Sequence, residues 1–159
     1  MDVTQTEFVI RKAEVSDLEV ILHHRRSMFR DMGEGTVEEL DRMVRVATPW
    51  FEQAIADQTY HHWLAQEASS DRIAGGGGVL LCPWPANPKD PCTQRAVILN
   101  VYVEVEFRRR GIARQVMLAI LDWIKQQGFR GVNLHASPEG RYLYEKLGFT
   151  PTNEMRLKF

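Results

Sequence analysis

The sequence predicts a mixed α/β fold with one compact sheet. Apolar segments of strand length alternate along the chain with segments whose apolar residues recur at helical spacing. The resulting order is strand, two helices, hairpin, strand, helix, strand, helix, strand, which is typical of one sheet combined with helices. The 159 residues can bury one sizeable core and are too few for two. We therefore predict a single domain over residues 1–159.

The N-terminal third carries the first strand and a pair of helices. Residues 7–12 form a short predicted strand, and an apolar helix follows as far as Gly33, which can adopt a left-handed C-terminal conformation. Thr36 caps a second helix. Pro49 is expected to break or restart that helix, because proline removes a backbone donor.

Two strands and a polar turn follow as a hairpin. The strands are predicted over 61–65 and 73–82, joined by the turn 69–72. Four consecutive glycines, residues 75–78, lie in the first half of the second strand. They do not form a phosphate-binding loop, because neither a Gly-Lys-Ser/Thr sequence nor a helix follows them. We expect a β-bulge there, or a close approach to a ligand or a neighbouring strand.

The C-terminal half supplies a central strand and four further elements. The loop 82–94, with four prolines, is either a functional flap or only a surface excursion. Residues 96–103 are almost continuously apolar, as expected for a strand buried on both faces. The remaining predicted elements are a helix over 112–127, a fifth strand over 131–136, a short helix over 141–147 and a last strand over 154–159.

Charge and targeting signals exclude several classes of protein. The formal net charge is −1, which gives no general electrostatic reason to bind nucleic acid or an anionic membrane. No apolar stretch is long enough to span a bilayer, and the N-terminus MDVTQTEF lacks the pattern of a signal peptide. We expect a cytoplasmic protein with no nucleic-acid or membrane partner.

No metal site is expected. The only two cysteines, Cys82 and Cys92, are interpreted as free thiols. A disulfide or a metal-binding pair is less favoured, because no four-ligand spacing surrounds them. The two pairs of adjacent histidines do not share a helix face or a strand face, which argues against metal ligation by either pair.

The segment 101–113, VYVEVEFRRRGIA, is the strongest indication of function. A β-branched strand turns through three arginines and a glycine into an amphipathic helix. A helix N-terminus leaves backbone N–H groups unpaired and carries partial positive charge. Gly111 lets the backbone approach a diphosphate, and the arginines add charge that can fork onto phosphate oxygens. The segment predicts a site for a phosphorylated ligand.

Two motifs in this half of the chain resemble the GNAT superfamily of N-acetyltransferases. Residues 108–113 read Arg-x-x-Gly-x-Ala and resemble the acetyl-CoA pyrophosphate loop of that family, Gln/Arg-x-x-Gly-x-Gly/Ala. Residues 140–149 read Gly-x-x-x-Tyr-x-x-x-Gly-Phe and resemble its second signature. The two motifs come in the family's order, with a helix and a strand between them, and the resemblance covers essentially the whole chain.

The resemblance implies a more detailed fold and an activity. The family has a mixed, mostly antiparallel sheet flanked by helices, with splayed fourth and fifth strands and the pantetheine of acetyl-CoA in the gap. The implied reaction moves an acetyl group from acetyl-CoA to a primary amine by direct attack. The acceptor stays open among a small metabolite, an antibiotic and a protein amine. Many members are homodimers, although no interface is legible in this sequence.

The resemblance also assigns roles residue by residue. Tyr144 matches the family's general acid, and an ordinary tyrosine pKa of about 10 keeps it protonated at neutral pH. A backbone N–H within 101–103 would polarise the thioester carbonyl. Ser137 stands where many members carry an asparagine that bonds the pantetheine. The implied cofactor-binding residues are Val101, Tyr102, Val103, Arg108, Arg109, Arg110, Gly111, Ile112, Ala113, Arg114, Ser137 and Tyr144.

The general base is left open, and two functions other than acetyl transfer are considered. Asn100, on the inner stretch of the central strand, cannot act as a base, and the amine can also lose its proton to water. Ser137 and the missing base favour the alternative, a non-catalytic acyl-CoA-binding or regulatory module. A nucleotide hydrolase rests only on the glycine run. The candidate bases are Asp31, Glu34, His61, His62, Glu104 and Glu106.

Overall fold

The computed structural model describes residues 8–159, which contain one five-stranded sheet and four α-helices. Glu7, the first residue of the predicted first strand, lies outside this range. The strands are β1 (Phe8–Lys12), β2 (Tyr60–Glu67), β3 (Ile73–Pro83), β4 (Gln94–Val103) and β5 (Asn133–Leu134). The helices are α1 (Leu18–Asp31), α2 (Val37–Ala56), α3 (Ile112–Gln126) and α4 (Arg141–Lys146).

The strands lie in sequence order across the sheet, β1-β2-β3-β4-β5. The pairs β1–β2, β2–β3 and β3–β4 are antiparallel, whereas β4 and β5 are parallel. The parallel pair requires a crossover, and α3 supplies it. The predicted mixed, mostly antiparallel sheet flanked by helices is therefore confirmed.

Two apolar clusters cover the two faces of the sheet. On one face, α1 and α2 pack on β2 and β4, where Ile21, Phe51 and Tyr60 are almost completely buried. On the other face, α3 buries its apolar stripe, including Val116 and Ile120. None of the helices in the described range has the length and apolar content needed to cross a lipid bilayer.

The second helix differs from its prediction, because it runs through Pro49 without a break. A capping box, in which Thr36 and Glu39 bond each other's backbone N–H groups, fixes its start. Pro49 removes only one intrahelical hydrogen bond. The turn after it buries Phe51 and Ala54, and this burial stabilises the last turns enough to keep the helix continuous.

The glycine run shows the close approach expected of it, whereas the bulge at this point lies in the neighbouring strand β4. The register of β3 against β4 shifts between Gly76 and Gly78, which marks a bulge. A Cβ atom on Gly76 would lie 2.7 Å from Nε2 of His62, and a Cβ atom on Gly78 would overlap the hydroxyl of Tyr60. The glycines therefore make room for side chains of the neighbouring strand rather than for a nucleotide.

The C-terminal part contains less strand than predicted. The fifth strand is Asn133–Leu134, shorter than the predicted 131–136, and residues 154–159 form no strand. The alternation in this tail leaves Met155, Leu157 and Phe159 exposed. Alternating residues form a strand only when a neighbour supplies backbone partners, and no strand of the described range pairs with the tail.

We expect Gly78→Ala to lower the free energy of unfolding by about 1–3 kcal/mol, because the new methyl group would displace the fully buried Tyr60 ring. Urea unfolding measures this change. Gly131→Ala is the matched control, since nothing lies within 4 Å of its added Cβ atom, and it should stay within about 0.5 kcal/mol of wild type. Equal effects of the two substitutions would contradict the packing role of Gly78.

Candidate active site

An open strand edge lies in the middle of the sheet, where β4 separates from β5. The two strands pair only through Val97 with Asn133 and Ile98 with Leu134. From Leu99 to Val103, β4 continues beside β3, but no described strand lies along its other edge. This is the splay that the resemblance implied, and it leaves backbone N–H and C=O groups of β4 available to a ligand.

A β-bulge at Asn100 coincides with the separation of the two strands. Asn100 has a φ of 58°, a left-handed conformation that asparagine adopts more readily than most residues. Leu99 packs with the α1–α2 cluster and Asn100 bonds into the same face, whereas Ile98 and Val101 pack on the α3 side. Two consecutive residues on one face are the mark of a bulge, which bends β4 away from its neighbour.

Buried hydrogen bonds hold Asn100 in this conformation. Its amide Nδ2 donates to the Tyr60 hydroxyl at 2.9 Å, and its Oδ1 accepts from Nη1 of Arg25 at 2.7 Å. The Tyr60 hydroxyl that accepts from Asn100 also forms a hydrogen bond of 2.8 Å with Nδ1 of His62. Burial raises the pKa of Tyr60, so the hydroxyl stays protonated.

Two buried histidines lie in this region without full hydrogen bonding. Neither ring nitrogen of His24 has a hydrogen-bond partner in the described range, and the same is true of Nε2 of His62. Burial lowers the pKa of His24 to about 4 and that of His62 to about 3. Both imidazoles are therefore neutral at neutral pH.

The turn after β4 presents an uncapped helix N-terminus. Gly111 lies at the N-cap of α3 with a φ of 75°, and no side chain caps the first turn. A Cβ atom on Gly111 would meet nothing within 4 Å, so the space in front of the helix is open. Arg109 is also left-handed, with a φ of 62°. The N–H groups of Ile112, Ala113 and Arg114, at the start of α3, are therefore free to bind an anion.

The three arginines of this turn have different surroundings. Arg108 bonds the carbonyl of Val103 through Nε at 3.0 Å and pairs with Asp31 of α1 at 2.6 Å. The guanidinium of Arg110 lies over the Phe107 ring at 5.6 Å. Arg109 and Arg110 form no ion pair with a carboxylate among residues 8–159, and neither does Arg114 in the first turn of α3. The positive charge that faces the open helix end is thus only partly compensated.

The second signature lies on the β5 side of the gap. Tyr144 is mostly buried in α4, its ring 5.9 Å from that of Phe149, and its hydroxyl has no hydrogen-bond partner in the described range. Burial raises the pKa of Tyr144. Tyr142, two residues earlier, is 70% exposed. Ser137 accepts a hydrogen bond from the Gly140 N–H at 3.1 Å and so helps to shape the turn before α4.

A cavity of 650 Å³ adjoins Tyr144, between β5, α4 and the C-terminal tail. Its lining includes Val97, Asn133 and Glu154. The Asn133 amide oxygen accepts from Arg95 at 3.1 Å, so Asn133 is already engaged within the protein. Trp84, from the proline-rich loop, is half-exposed and stacks under Arg95 on this side of the sheet.

Three of the six candidate bases are carboxylates that already bond another side chain. The Arg108 guanidinium, with Arg30, lowers the pKa of Asp31 and holds its carboxylate. Glu104 accepts from His23, and Glu106 pairs with Arg72. Three candidates remain: exposed Glu34, His61 stacked on Trp123 at the α3 face, and His62 behind Tyr60.

Comparison with known proteins identifies the class to which this fold and site belong. The family model for the acetyltransferase (GNAT) family matches residues 19–149, and the chain belongs to this family. Members of the family use acetyl-CoA and transfer its acetyl group. The protein is an N-acetyltransferase that acts on an amine.

Particular relatives make the membership concrete. The chain is 26% identical over 143 residues to the glucosamine 6-phosphate N-acetyltransferase of Arabidopsis thaliana, covering 90% of each protein. A GCN5-related N-acetyltransferase from Ralstonia eutropha has a TM-score of 0.88 and 30% identity, with 96% of this chain and 99% of that chain covered. A predicted acetyltransferase from Clostridium acetobutylicum, solved with acetyl-CoA, shares the fold, with a TM-score of 0.85 and 24% identity over 96% of each chain.

Sequence reasoning missed two residues of the site, Arg25 and Tyr60. Arg25 occurs at helical spacing among the apolar residues of α1, and a cation on an apolar stripe is a signal that could have marked it. Tyr60 had no such signal, because it lies one residue before the predicted strand 61–65. Its position became visible only once β2 was seen to start at Tyr60.

The neutral histidines predict a loss of stability in mild acid. The unfolded chain binds protons at these sites below a pKa of about 6.5, whereas the folded protein does not until pH 4 or 3. The free energy of unfolding therefore keeps the full contribution of these two histidines above pH 6.5 and loses it progressively as the pH falls. Between pH 7 and pH 5 we expect a loss on the order of 2 kcal/mol for each histidine, measured by urea unfolding.

The variant His24→Leu should remove a large part of this pH dependence and leave stability at pH 7 close to wild type. Neither ring nitrogen forms a hydrogen bond, and the Glu104 carboxylate, 3.5 Å from Nε2, keeps its contact with His23. The exposed His135→Leu serves as the control for loss of an imidazole and should retain the wild-type pH dependence. Equal stability of the wild type at pH 7 and pH 5 would show that the two buried histidines are not held neutral.

Proposed function

We propose that the protein binds acetyl-CoA along the open edge of β4 and transfers its acetyl group to a primary amine by direct attack. The observation that carries the proposal is the continuity of two features. The edge of β4 is open from Leu99 to Val103, and the uncapped start of α3 at Gly111 follows eight residues later in the chain. An extended amide-containing arm and a diphosphate need these two features side by side.

The diphosphate is assigned to the turn between β4 and α3. Backbone N–H groups of Ile112, Ala113 and Arg114, with the helix dipole, provide donors for phosphate oxygens. Arg109 and Arg110 add charge, and the Arg108–Asp31 pair anchors the turn to α1. The pantetheine arm is assigned to the backbone of Val101, Tyr102 and Val103, with Ser137 across the gap.

Acetyl-CoA supplies an acetyl group that is activated as a thioester. A backbone N–H within 101–103, next to the bulge, polarises the acetyl carbonyl. Tyr144 holds a proton on its hydroxyl, because burial raises its pKa, and donates this proton to the leaving thiolate. The protein residues thus stabilise charge at the carbonyl and at the sulfur.

The amine loses its proton to water in this proposal. Asp31 and Glu106 are engaged in ion pairs, Glu104 is hydrogen-bonded to His23, and the low pKa of His62 makes it a weak base. An amine is already partly neutral in mildly alkaline solution, so no dedicated base is required. Glucosamine 6-phosphate, the substrate in the name of the Arabidopsis relative, belongs in the first acceptor panel.

The diphosphate site is tested with Gly111→Asp, alone and together with Arg110→Ala. We expect acetyl-CoA affinity to fall about 10-fold or more, because a carboxylate at the helix start repels phosphate. Calorimetric titration measures the affinity. Gly128→Asp is the matched control: Gly128 is also left-handed, has open space around it and follows the other end of α3, so it should bind like wild type.

If the wild type does not bind acetyl-CoA, the turn is only a basic helix start and the proposal is wrong. Tight binding without release of CoA on any amine would favour the alternative, a non-catalytic acyl-CoA-binding module. Release of CoA in the presence of an amine would favour the transferase over the non-catalytic module.

The role of Tyr144 is tested by its conversion to phenylalanine. We expect kcat to fall by a factor on the order of 10² at neutral pH, because no proton is supplied to the thiolate, while acetyl-CoA affinity changes little. A thiol-reactive dye follows the release of CoA. Tyr142→Phe, on the exposed side of the same helix, should keep full activity. Unchanged turnover by Tyr144→Phe would remove Tyr144 from the acid role.

A further inference from the structure

A desolvated cation without a counter-ion lies beside the bulge of β4. Arg25 extends from α1, and its guanidinium carbon lies 5.0 Å from the Phe29 ring and 5.6 Å from the Phe51 ring. Its Nη1 donates to Asn100, whereas Nε is buried without a hydrogen-bond partner. No carboxylate among residues 8–159 forms an ion pair with it.

Other arginines of the chain show how unusual this environment is. Arg26, the next residue, pairs with Asp41 at 2.9 Å. Arg11 pairs with Asp17 at 2.8 Å, and Arg108 pairs with Asp31. Removing a cation from water without an opposite charge costs free energy. The chain accepts this cost at Arg25, and an anion that binds there would recover part of it.

The position of Arg25 links it to the reaction. Its Nη1 lies 2.7 Å from the side chain of Asn100, the residue at which β4 leaves β5. The adjoining residues 101–103 carry the backbone to which the proposed function assigns the acetyl carbonyl. The rings of Phe29 and Phe51 provide an apolar wall beside the guanidinium, and half-exposed Trp50 packs against Phe51. A group bound to Arg25 would therefore lie on the α1 side of the transfer point.

We propose that the acceptor amine also carries an anionic group, a carboxylate or a phosphate, and that Arg25 binds this group. The inference rests on the proposed function and adds the class of acceptor to it. A guanidinium offers donors in a fixed planar fork, and the unpartnered Nε can form a charge-assisted hydrogen bond with an anionic oxygen. The same charge disfavours polycationic acceptors such as polyamines.

The first test measures anion binding without any turnover. Thermal unfolding of the wild type, Arg25→Gln, Arg25→Lys and Arg26→Gln is followed with increasing inorganic phosphate and with increasing acetate. We expect one of the two anions to raise the melting temperature of the wild type and of Arg26→Gln more than that of Arg25→Gln. Arg25→Lys keeps the charge and should lie between them. Equal shifts for all four proteins with both anions would overturn the inference.

The second test compares matched acceptors through release of CoA. Glucosamine 6-phosphate with glucosamine tests a phosphate, and phenylalanine with phenylalaninamide tests a carboxylate. In the wild type and Arg26→Gln, we expect kcat/KM for one anionic amine to exceed that of its neutral partner about 10- to 100-fold. In Arg25→Gln this ratio should fall towards one. The ratio separates loss of the anion contact from damage to the bulge, because both members of a pair use the same bulge.

The outcomes of the inference and of the proposed function can be told apart. Turnover of amines with no preference for the anionic member, and with the same ratio in Arg25→Gln, would overturn the role of Arg25 and leave the transferase intact. If acetyl-CoA did not bind and no amine released CoA, the proposed function would fail. The thermal shifts with phosphate and acetate would still decide whether Arg25 binds an anion.

Discussion

The left-handed backbone at Asn100 is the constraint on which the rest of the site depends. Gly78 leaves room for the Tyr60 hydroxyl, which accepts a hydrogen bond from Nδ2 of Asn100. Arg25 donates a hydrogen bond to Oδ1 of the same asparagine. With Asn100 fixed, β4 bulges and parts from β5 after Ile98. The opening between the strands is therefore built from packing on the α1 side of the sheet, and a residue that never reaches the opening can still determine its shape.

The same packing explains why polar groups are left without partners there. Both ring nitrogens of His24 and Nε2 of His62 are buried without a hydrogen bond. Arg25 is desolvated and has no carboxylate as an ion-pair partner. Such groups lower stability unless they are neutral or gain a partner. The histidines become neutral, whereas an arginine cannot lose its proton in this way. Arg25 therefore remains charged, and the anionic group proposed for the acceptor would supply its missing partner. This difference in chemistry separates the role assigned to the histidines from the role assigned to Arg25.

Local features of the structure were predictable from sequence, and long-range ones were not. The helix after the arginine turn was predicted over 112–127 and observed at Ile112–Gln126, because a glycine start and an apolar period are local signals. The two motifs also identified the family. Pro49 was misread because burial of Phe51, a tertiary effect, outweighs the loss of one hydrogen bond. Arg25 and Asn100 are 75 residues apart, so their contact has no local signature.

Helix α1 joins the two halves of the proposed reaction. Its last residue, Asp31, holds Arg108 of the turn assigned to the diphosphate, and Arg25, six positions earlier, holds the bulge. A rigid helix fixes the distance between these two contacts. Donor and acceptor would then be positioned by one element, so that a shift of α1 would change the binding of both. The ion pair at Asp31 thus has a role beyond its small contribution to stability, because it connects the donor side of the site to the acceptor side.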